Sequence, residues 1–166
     1  MTNKLGNIRK IKDRDTANDV VYTPISLAKL LIDMADIQPT DRVLDPCRGE
    51  GIFFQNLPLC NKEWCEVTEG RDFFQFHEPV DVIIGNPPFS LWKKWLEHSV
   101  KLTPSKICYV MGILNLTSKR VDFLKKHGYF LSKLHITAVK GWFANTLCVV
   151  FDREGTDCIT YDIERR

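Results

Sequence analysis

The feature that most constrains the fold is a series of short buried-strand patterns separated by stretches with helical spacing. Val82–Ile84 and Ile107–Leu114 are apolar with little alternation, as strands buried on both faces of a parallel sheet are. Helical patterns precede such strands: Thr23-Pro24 starts one that ends near Ile37, and Ser90 precedes another over Leu91–Leu102. This alternation predicts an α/β sandwich with a mostly parallel sheet.

The remaining elements complete that pattern. Strands are predicted at Arg42–Asp45, Trp64–Val67, Phe130–Val139 and Thr146–Phe151, with an alternating segment at Cys158–Ile163. Short helices are predicted at Ile52–Asn56 and at Thr117–His127, the second stopped by Gly128. Only Lys140–Asn145 joins the last two long strands, which predicts an antiparallel C-terminal hairpin. We expect a basic arm over residues 1–19 and a single domain over residues 20–166.

Length and composition narrow the class of protein. A chain of 166 residues, of which 44% are hydrophobic, can bury the core of one domain without staples. It has no apolar run that could span a bilayer and no signal-peptide pattern, so we expect a cytoplasmic protein with no membrane partner. Six cysteines without a CxxC pair predict reduced thiols rather than disulfides, and we expect no metal site.

Charge is divided unevenly along the chain. Residues 41–82 hold nine acidic and four basic side chains, a net charge of −5, whereas residues 93–140 hold ten basic and two acidic ones, a net charge of +8. The basic half predicts a polyanionic partner, although solvated helix faces could produce the same pattern. The cations expected to contribute to a nucleic-acid surface are Lys93, Lys94, Lys119, Arg120, Lys125 and Lys126.

The turn Asp45-Pro-Cys-Arg-Gly49-Glu-Gly51 comes directly after a predicted strand. Its two glycines permit a tight turn and close approach of a ligand to backbone N–H groups. The pattern lacks the Lys-Ser/Thr pair of a phosphate loop, and its carboxylates at Asp45 and Glu50 would repel a pyrophosphate. A nucleoside with positive charge, such as S-adenosylmethionine, fits better. Its ribose needs an acid after the next strand, either Glu66 or Glu69.

Asn86-Pro-Pro-Phe89 follows a predicted buried strand, which places it at the carboxyl edge of the sheet near the glycine turn. An exocyclic amine on a base is a poor nucleophile, because its lone pair is delocalised into the ring. If the Asn86 side-chain oxygen and the Pro87 carbonyl each accept one amine hydrogen, the lone pair can turn toward a methyl donor. Phe89 offers a ring face for an unpaired base, or alternatively belongs to the core.

Together these residues give the chain a resemblance to the amino-methyltransferases that modify adenine at N6 or cytosine at N4, over nearly all of residues 20–151. Val21-Tyr-Thr-Pro24 is similar to that family's N-terminal cofactor motif, and residues 45–51 to its DPxxGxG turn. Asp72-Phe-Phe74 resembles the step that holds the cofactor's adenine, and Asn86–Phe89 the catalytic NPPF/Y motif. The resemblance implies a Rossmann-like methyltransferase sandwich with S-adenosylmethionine as cofactor.

The resemblance also implies roles for individual residues. Catalysis would fall to Asn86, Pro87, Pro88 and Phe89. Phe89 with Trp142 or Phe143 would hold the target base, the sequence leaving open which of the last two stacks on it. Cofactor binding would involve Tyr22, Thr23, Asp45, Cys47, Gly49, Gly51, Glu66, Asp72, Phe73 and Asn86.

The substrate implied most directly is adenine N6 in DNA, with cytosine in DNA and an amine of an RNA base as alternatives. A noncatalytic nucleic-acid-binding partner of a methyltransferase complex is an alternative of another class. Sequence-specific members carry a recognition domain after the catalytic core, whereas only fifteen residues follow Phe151 here. Specificity would then come from loops, the basic region, a second copy in a homodimer or a separate subunit.

Overall fold

The computed structural model describes residues 22–142, 145–155 and 160–163. Its helices are α1 (Ile25–Ala35), α2 (Ile52–Asn56), α3 (Trp92–Lys101) and α4 (Ser118–Lys126). Its strands are β1 (Arg42–Asp45), β2 (Asn61–Trp64), β3 (Val82–Gly85), β4 (Lys106–Gly112), β5 (Phe130–Thr137), β6 (Thr146–Asp152) and β7 (Thr160–Ile163). The basic arm predicted at residues 1–19 lies outside the described residues.

The described strands form one seven-stranded sheet in the order β2-β1-β3-β4-β6-β5-β7. Strands β2, β1, β3 and β4 are parallel to one another, with Ile83 opposite Ile107. Strand β6 runs antiparallel to both β4 and β5, and β7 runs parallel to β5. The predicted α/β sandwich, mostly parallel with an antiparallel C-terminal hairpin, is confirmed.

Two apolar clusters cover the two faces of this sheet. Along β4, Ile107 and Tyr109 belong to the cluster that packs against α3 and α4, whereas Cys108 and Val110 belong to the cluster under α1 and α2. Because both faces are covered, the buried residues 107–111 of β4 are apolar or aromatic without interruption. Within the described ranges, no helix combines the length and the apolar character needed to cross a bilayer.

Strand β2 differs from the sequence prediction. Trp64–Val67 was expected to be extended, but the strand is Asn61–Trp64, and Val67 opens a short 3-10 turn with 70% of its surface exposed. The reason is that β2 is a sheet edge among the described strands, with half-buried side chains in place of a continuous apolar run. Edge strands have weaker hydrophobic patterns than central ones, so the positions of the apolar residues predict the wrong boundaries for β2.

Two predicted helix starts also differ. Pro24, not Thr23, is the N-cap of α1, and the Thr23 hydroxyl accepts a hydrogen bond from Asn86 instead. Residues Phe89–Leu91 form a 3-10 turn before α3, so Leu91 rather than Ser90 occupies the N-cap position. Both segments lie where the chain passes the candidate site, and tertiary contacts there outweigh the local capping preference.

Two lysines on strands hold the C-terminus of α1. Lys106 Nζ donates to the Ala35 carbonyl oxygen at 2.9 Å and to that of Asp36 at 3.2 Å, and Lys133 Nζ donates to the Met34 carbonyl oxygen at 2.8 Å. These bonds satisfy carbonyl groups that have no partner inside the helix and place positive charge at the negative end of its dipole.

Replacing Lys106 or Lys133 with methionine should therefore lower the free energy of unfolding by about 1–3 kcal/mol each, since each change leaves a helix-end carbonyl without its charged donor. Urea denaturation followed by circular dichroism measures the effect. Lys29→Met, an exposed position on α1, is the matched control. Equal midpoints for Lys29→Met and Lys106→Met would show that the charged cap contributes nothing to stability.

Candidate active site

A cleft of about 530 Å³ opens at the carboxyl ends of β1, β2 and β3. Ligands of open α/β sheets bind at this edge, where the loops after neighbouring strands converge. Of the residues that the resemblance assigns to catalysis or cofactor binding, those that line the cleft are Tyr22, Thr23, Cys47, Gly49, Glu66, Asp72, Phe73, Asn86 and Pro88.

The glycine turn forms one wall of the cleft. Gly49 and Gly51 have φ values of 51° and 88°, in the left-handed region that favours glycine, so the chain can reverse within three residues. The Gly51 N–H donates to the Arg48 carbonyl at 2.8 Å, and the Arg48 N–H donates to the Cys65 carbonyl at 2.9 Å. The turn is thereby fixed to the end of β2.

Asp45 lies beneath the turn, is fully buried and is not part of the cleft lining, so its predicted role in cofactor binding stays a prediction. Its carboxylate is fully buried, and Oδ1 accepts the Cys47 N–H at 3.3 Å. Burial raises the pKa of Asp45 to about 7, although N–H groups of Cys47 and Phe54 and the charge of Arg48 oppose the shift. Asp45 therefore supports the turn and changes charge near neutral pH.

Glu66 follows β2 and lines the cleft. Its Oε2 accepts the Gly49 N–H at 2.8 Å, and Oε1 accepts the backbone N–H and the hydroxyl of Thr68 at 3.1 and 2.7 Å. Desolvation alone would raise the pKa of Glu66, but these hydrogen bonds, together with the Arg48 charge, lower it. Glu66 is thus an ionised acid that follows β2, where the sequence predicts an acid for the ribose of the cofactor.

Glu69, the other candidate for that acid, lies outside the cleft lining. Its carboxylate pairs with the Arg48 guanidinium, which also stacks on the Trp64 ring at 3.9 Å from the ring centroid. Arg71 stacks on the same ring at 4.0 Å, so Trp64 contacts a guanidinium on two sides. Of the two acids left open by the sequence, the structure brings Glu66 to the cleft and commits Glu69 to Arg48.

Aromatic side chains form the opposite wall. Asp72 Oδ1 accepts the Phe74 N–H at 3.0 Å and caps the 3-10 turn Phe73–Gln75. That turn directs Phe73 onto Trp95 of α3, with ring centroids 4.6 Å apart and planes inclined by 30°. A rigid stack of this kind suits the flat ring of a nucleoside.

Asn86 lies directly after β3 and joins the catalytic motif to the N-terminal segment. Its Nδ2 donates to the Thr23 hydroxyl oxygen at 3.1 Å, which fixes the orientation of the amide. The preceding Gly85 allows the turn of β1 to lie against this loop: a Cβ there would be 3.2 Å from Pro46 Cδ and 3.3 Å from Asp45 Oδ1. Sequence reasoning missed Gly85, although its position before the motif was a usable signal.

Several predicted residues are not part of the cleft lining. Gly51 and Pro87 are buried beside it without lining it, and Phe89 packs, partly buried, against the core cluster under α3 and α4. Trp142 packs against the cluster on the other face of the sheet, and Phe143 lies outside the described residues. The predicted role of these aromatic side chains in stacking on a base therefore stays a prediction.

Other residues of the lining were missed. Leu91, the N-cap residue of α3, and Trp95 in its first turn contribute apolar surface, and Phe53 does so from α2. Their sequence pattern is that of ordinary core positions, so only the fold reveals that one end of each helix faces the cleft. Cys47 is also in the lining, and burial raises the pKa of its thiol well above the usual value, so it stays protonated.

Solved structures of methyltransferases and of a modification subunit share this architecture. A proposed RNA methyltransferase from Pyrococcus horikoshii superposes with a TM-score of 0.66 at 16% identity, over 92% of this chain and 98% of that one. A modification subunit of a proposed type I restriction enzyme from Vibrio vulnificus gives 0.62 at 16% identity, over 96% of this chain and 50% of that one. TYW2 from M. jannaschii in complex with AdoMet gives 0.55 at 14% identity, over 83% and 78%.

The chain has the Rossmann-like methyltransferase fold. At identities of 14–16% these superpositions establish the methyltransferase fold. The chemistry depends on the residues that line the cleft. No protein-family model matches the sequence, and no curated protein does.

Proposed function

We propose that this protein is an S-adenosylmethionine-dependent methyltransferase that modifies the exocyclic amine of a nucleic-acid base, with adenine N6 in DNA as its target. The observation that carries the proposal is the placement of Asn86 in the same cleft as the acidic glycine turn. A cofactor wall and an amide that can accept amine hydrogens thus lie within one cavity of about 530 Å³.

The carboxylates of the cleft lining suit the positive charges and the ribose hydroxyls of S-adenosylmethionine. The cofactor carries a sulfonium and an ammonium, and Glu50, Glu66 and Asp72 place carboxylates in the lining, with Asp45 beneath it. The acids would hold the cationic end and the ribose, and the Phe73 wall would hold the adenine ring. One of the aligned solved structures, TYW2, was crystallised with AdoMet, which supports the same cofactor here.

Bound S-adenosylmethionine would supply an electrophilic methyl group, so the protein has only to orient the target amine toward it. Asn86 Oδ1 and the Pro87 carbonyl oxygen each accept one hydrogen of the target amine and bias its nitrogen toward tetrahedral geometry. Two consecutive prolines lack N–H donors, so this short segment offers the amine acceptors only. The amine loses a proton to water after methyl transfer, and no buried general base is required.

A nucleic-acid substrate is supported by the charge of residues 93–140, whose net value is +8. The similarity to a modification subunit of a type I restriction enzyme favours DNA, while the proposed RNA methyltransferase from Pyrococcus horikoshii keeps an RNA base as the second candidate. The chain spans about half of that modification subunit. We propose that a second copy or a separate subunit contributes to target specificity.

Transfer of a tritiated methyl group from S-adenosylmethionine tests the proposal. Unmethylated plasmid DNA and total unmodified RNA transcripts are incubated separately with enzyme, and radioactivity is counted in the precipitated polymer. We expect incorporation into DNA that exceeds incorporation into RNA. The reverse preference would select the RNA alternative, and cofactor binding without transfer to either polymer would favour a noncatalytic binding partner.

Thr23→Val should lower the single-turnover rate about tenfold, because the Asn86 amide loses the hydrogen bond that orients it. Thr23→Ser keeps the hydroxyl and should restore most of the rate. Rapid-quench measurements at saturating cofactor separate this effect from cofactor affinity. Equal rates for the valine and serine variants would show that Thr23 does not position Asn86.

A further inference from the structure

A second groove lies between α3 and α4, beside the 3-10 turn Ile113–Asn115 that follows β4. We call it the α3–α4 groove, and its cavity volume of about 620 Å³ is in the range of small-ligand sites. The start of α3 separates it from the candidate active site: Leu91 and Trp95 line the cleft, whereas Lys93 and Leu96 line the groove.

The groove combines an exposed apolar wall with cations. Leu114 has 72% of its surface exposed although it belongs to a described, ordered turn, and Phe123 lies across the groove on α4. Lys93 and Lys119 stand at the rim. Glu97 is the acid of the lining, and Lys93 Nζ lies 3.9 Å from its Oε1, which leaves the groove with an excess of positive charge.

The wall is held in a fixed position. Arg120 Nη1 donates to the carbonyl oxygen of Asn115 at 2.7 Å and to its side-chain oxygen at 3.2 Å, and the Ile113 N–H donates to the Asn145 carbonyl at 3.0 Å. Leu114 and the adjacent Ile113, which is 40% exposed, thus present apolar surface to solvent on an anchored turn. The anchoring therefore indicates a preformed binding surface.

We propose that the α3–α4 groove binds one unpaired nucleotide of the substrate strand, with its phosphate at Lys93 and Lys119 and its base against Leu114. The inference rests on the proposed function and deepens it, since it assigns a strand-binding subsite on a different side of α3 from the candidate active site. A base is flat and apolar on its faces and is joined to an anionic phosphate, which matches an apolar wall with cations at its rim. Paired bases are stacked and cannot reach such a wall.

The test measures binding of fluorescein-labelled 12-mers by anisotropy over a series of NaCl concentrations, with single-stranded and duplex forms in deoxy and ribo versions. Leu114→Ala should weaken binding of the single strand about tenfold and leave duplex binding within twofold. Lys119→Gln should weaken both and reduce the slope of log K against log [NaCl] by roughly 0.7 for the single strand.

Lys29→Gln is the matched control, because it removes the same charge from α1, which packs on the other face of the sheet. It should bind like the wild type. If the wild type methylates nucleic acid but Leu114→Ala binds the single strand as tightly as the wild type, the groove assignment is overturned and the proposed function is not. A wild type that neither binds nor methylates any strand would overturn the proposed function. A third result would also overturn the proposal: no oligonucleotide binds, but a fluorescent poly-glutamate peptide binds tightly and loses affinity in Leu114→Ala. The groove would then be a site for an acidic protein.

Discussion

Replacement of Asn86 with alanine should lower the single-turnover rate of methyl transfer by about 2–4 kcal/mol of activation free energy, roughly a 30- to 1,000-fold loss. The change removes one of two acceptors that act on the amine as its nitrogen becomes tetrahedral. The loss should fall on the chemical step, because the proposed interaction strengthens only when the amine reacts.

Affinity for S-adenosylmethionine, measured by titration calorimetry, should stay near the wild-type value in Asn86→Ala. Gln55→Ala is a suitable control, since Gln55 also carries an amide in the cleft lining but lies on α2 rather than in the catalytic loop. At saturating cofactor its rate should equal that of the wild type. A rate for Asn86→Ala as high as that of Gln55→Ala would exclude the proposed role of the amide.

Asp45→Asn should weaken binding of S-adenosylmethionine at pH 8 but have little effect at pH 6. The pKa of Asp45 is about 7 in the folded chain, so the wild-type carboxyl is mostly neutral at pH 6 and resembles the amide. At pH 8 it is ionised beneath a cleft that would hold a cationic ligand, and its removal should cost about tenfold in affinity or more. Calorimetry at the two pH values measures this; an equal loss at both would show that Asp45 acts only through the shape of the turn.

The same substitution should have the opposite effect on the stability of the cofactor-free protein. Folding raises the pKa of Asp45 from 3.8 to about 7, so between these values the unfolded chain has released a proton that the folded chain keeps. The free energy of unfolding therefore falls as pH rises through this window, by up to about 4 kcal/mol. Asp45→Asn lacks this fall and should gain stability relative to wild type from pH 4 to pH 8 in urea titrations. A constant difference between the two proteins would contradict the raised pKa.

The central strands could be predicted from sequence because burial on both faces demands apolar side chains throughout. Strand β1 has the predicted boundaries Arg42–Asp45, and β4 is shifted only at its ends. Strand β2 could not be placed in the same way, since an edge strand tolerates Asn61 and Lys62. The sheet order was also beyond local patterns, which do not record which strands pair.

The candidate site divides along similar lines. Gly49, Glu66, Asp72 and Asn86 reach the cleft because each follows a strand or caps a turn, and such positions are visible in the sequence. The burial of a side chain cannot be predicted in the same way, because the sequence does not distinguish a carboxylate beneath a turn, such as Asp45, from one on the surface of the turn. The contribution of Trp95 likewise depends on how α3 packs, which only the assembled fold determines.

The proposed function is tested most directly by locating the transferred methyl group. Unmethylated DNA is incubated with enzyme and deuterated-methyl S-adenosylmethionine, digested to nucleosides and analysed by mass spectrometry, with Asn86→Ala as the matched blank. We expect the label on N6 of deoxyadenosine in the wild-type sample and a greatly reduced signal in the blank. Label on a ring carbon or a sugar oxygen, or equal label in both samples, would contradict the proposal.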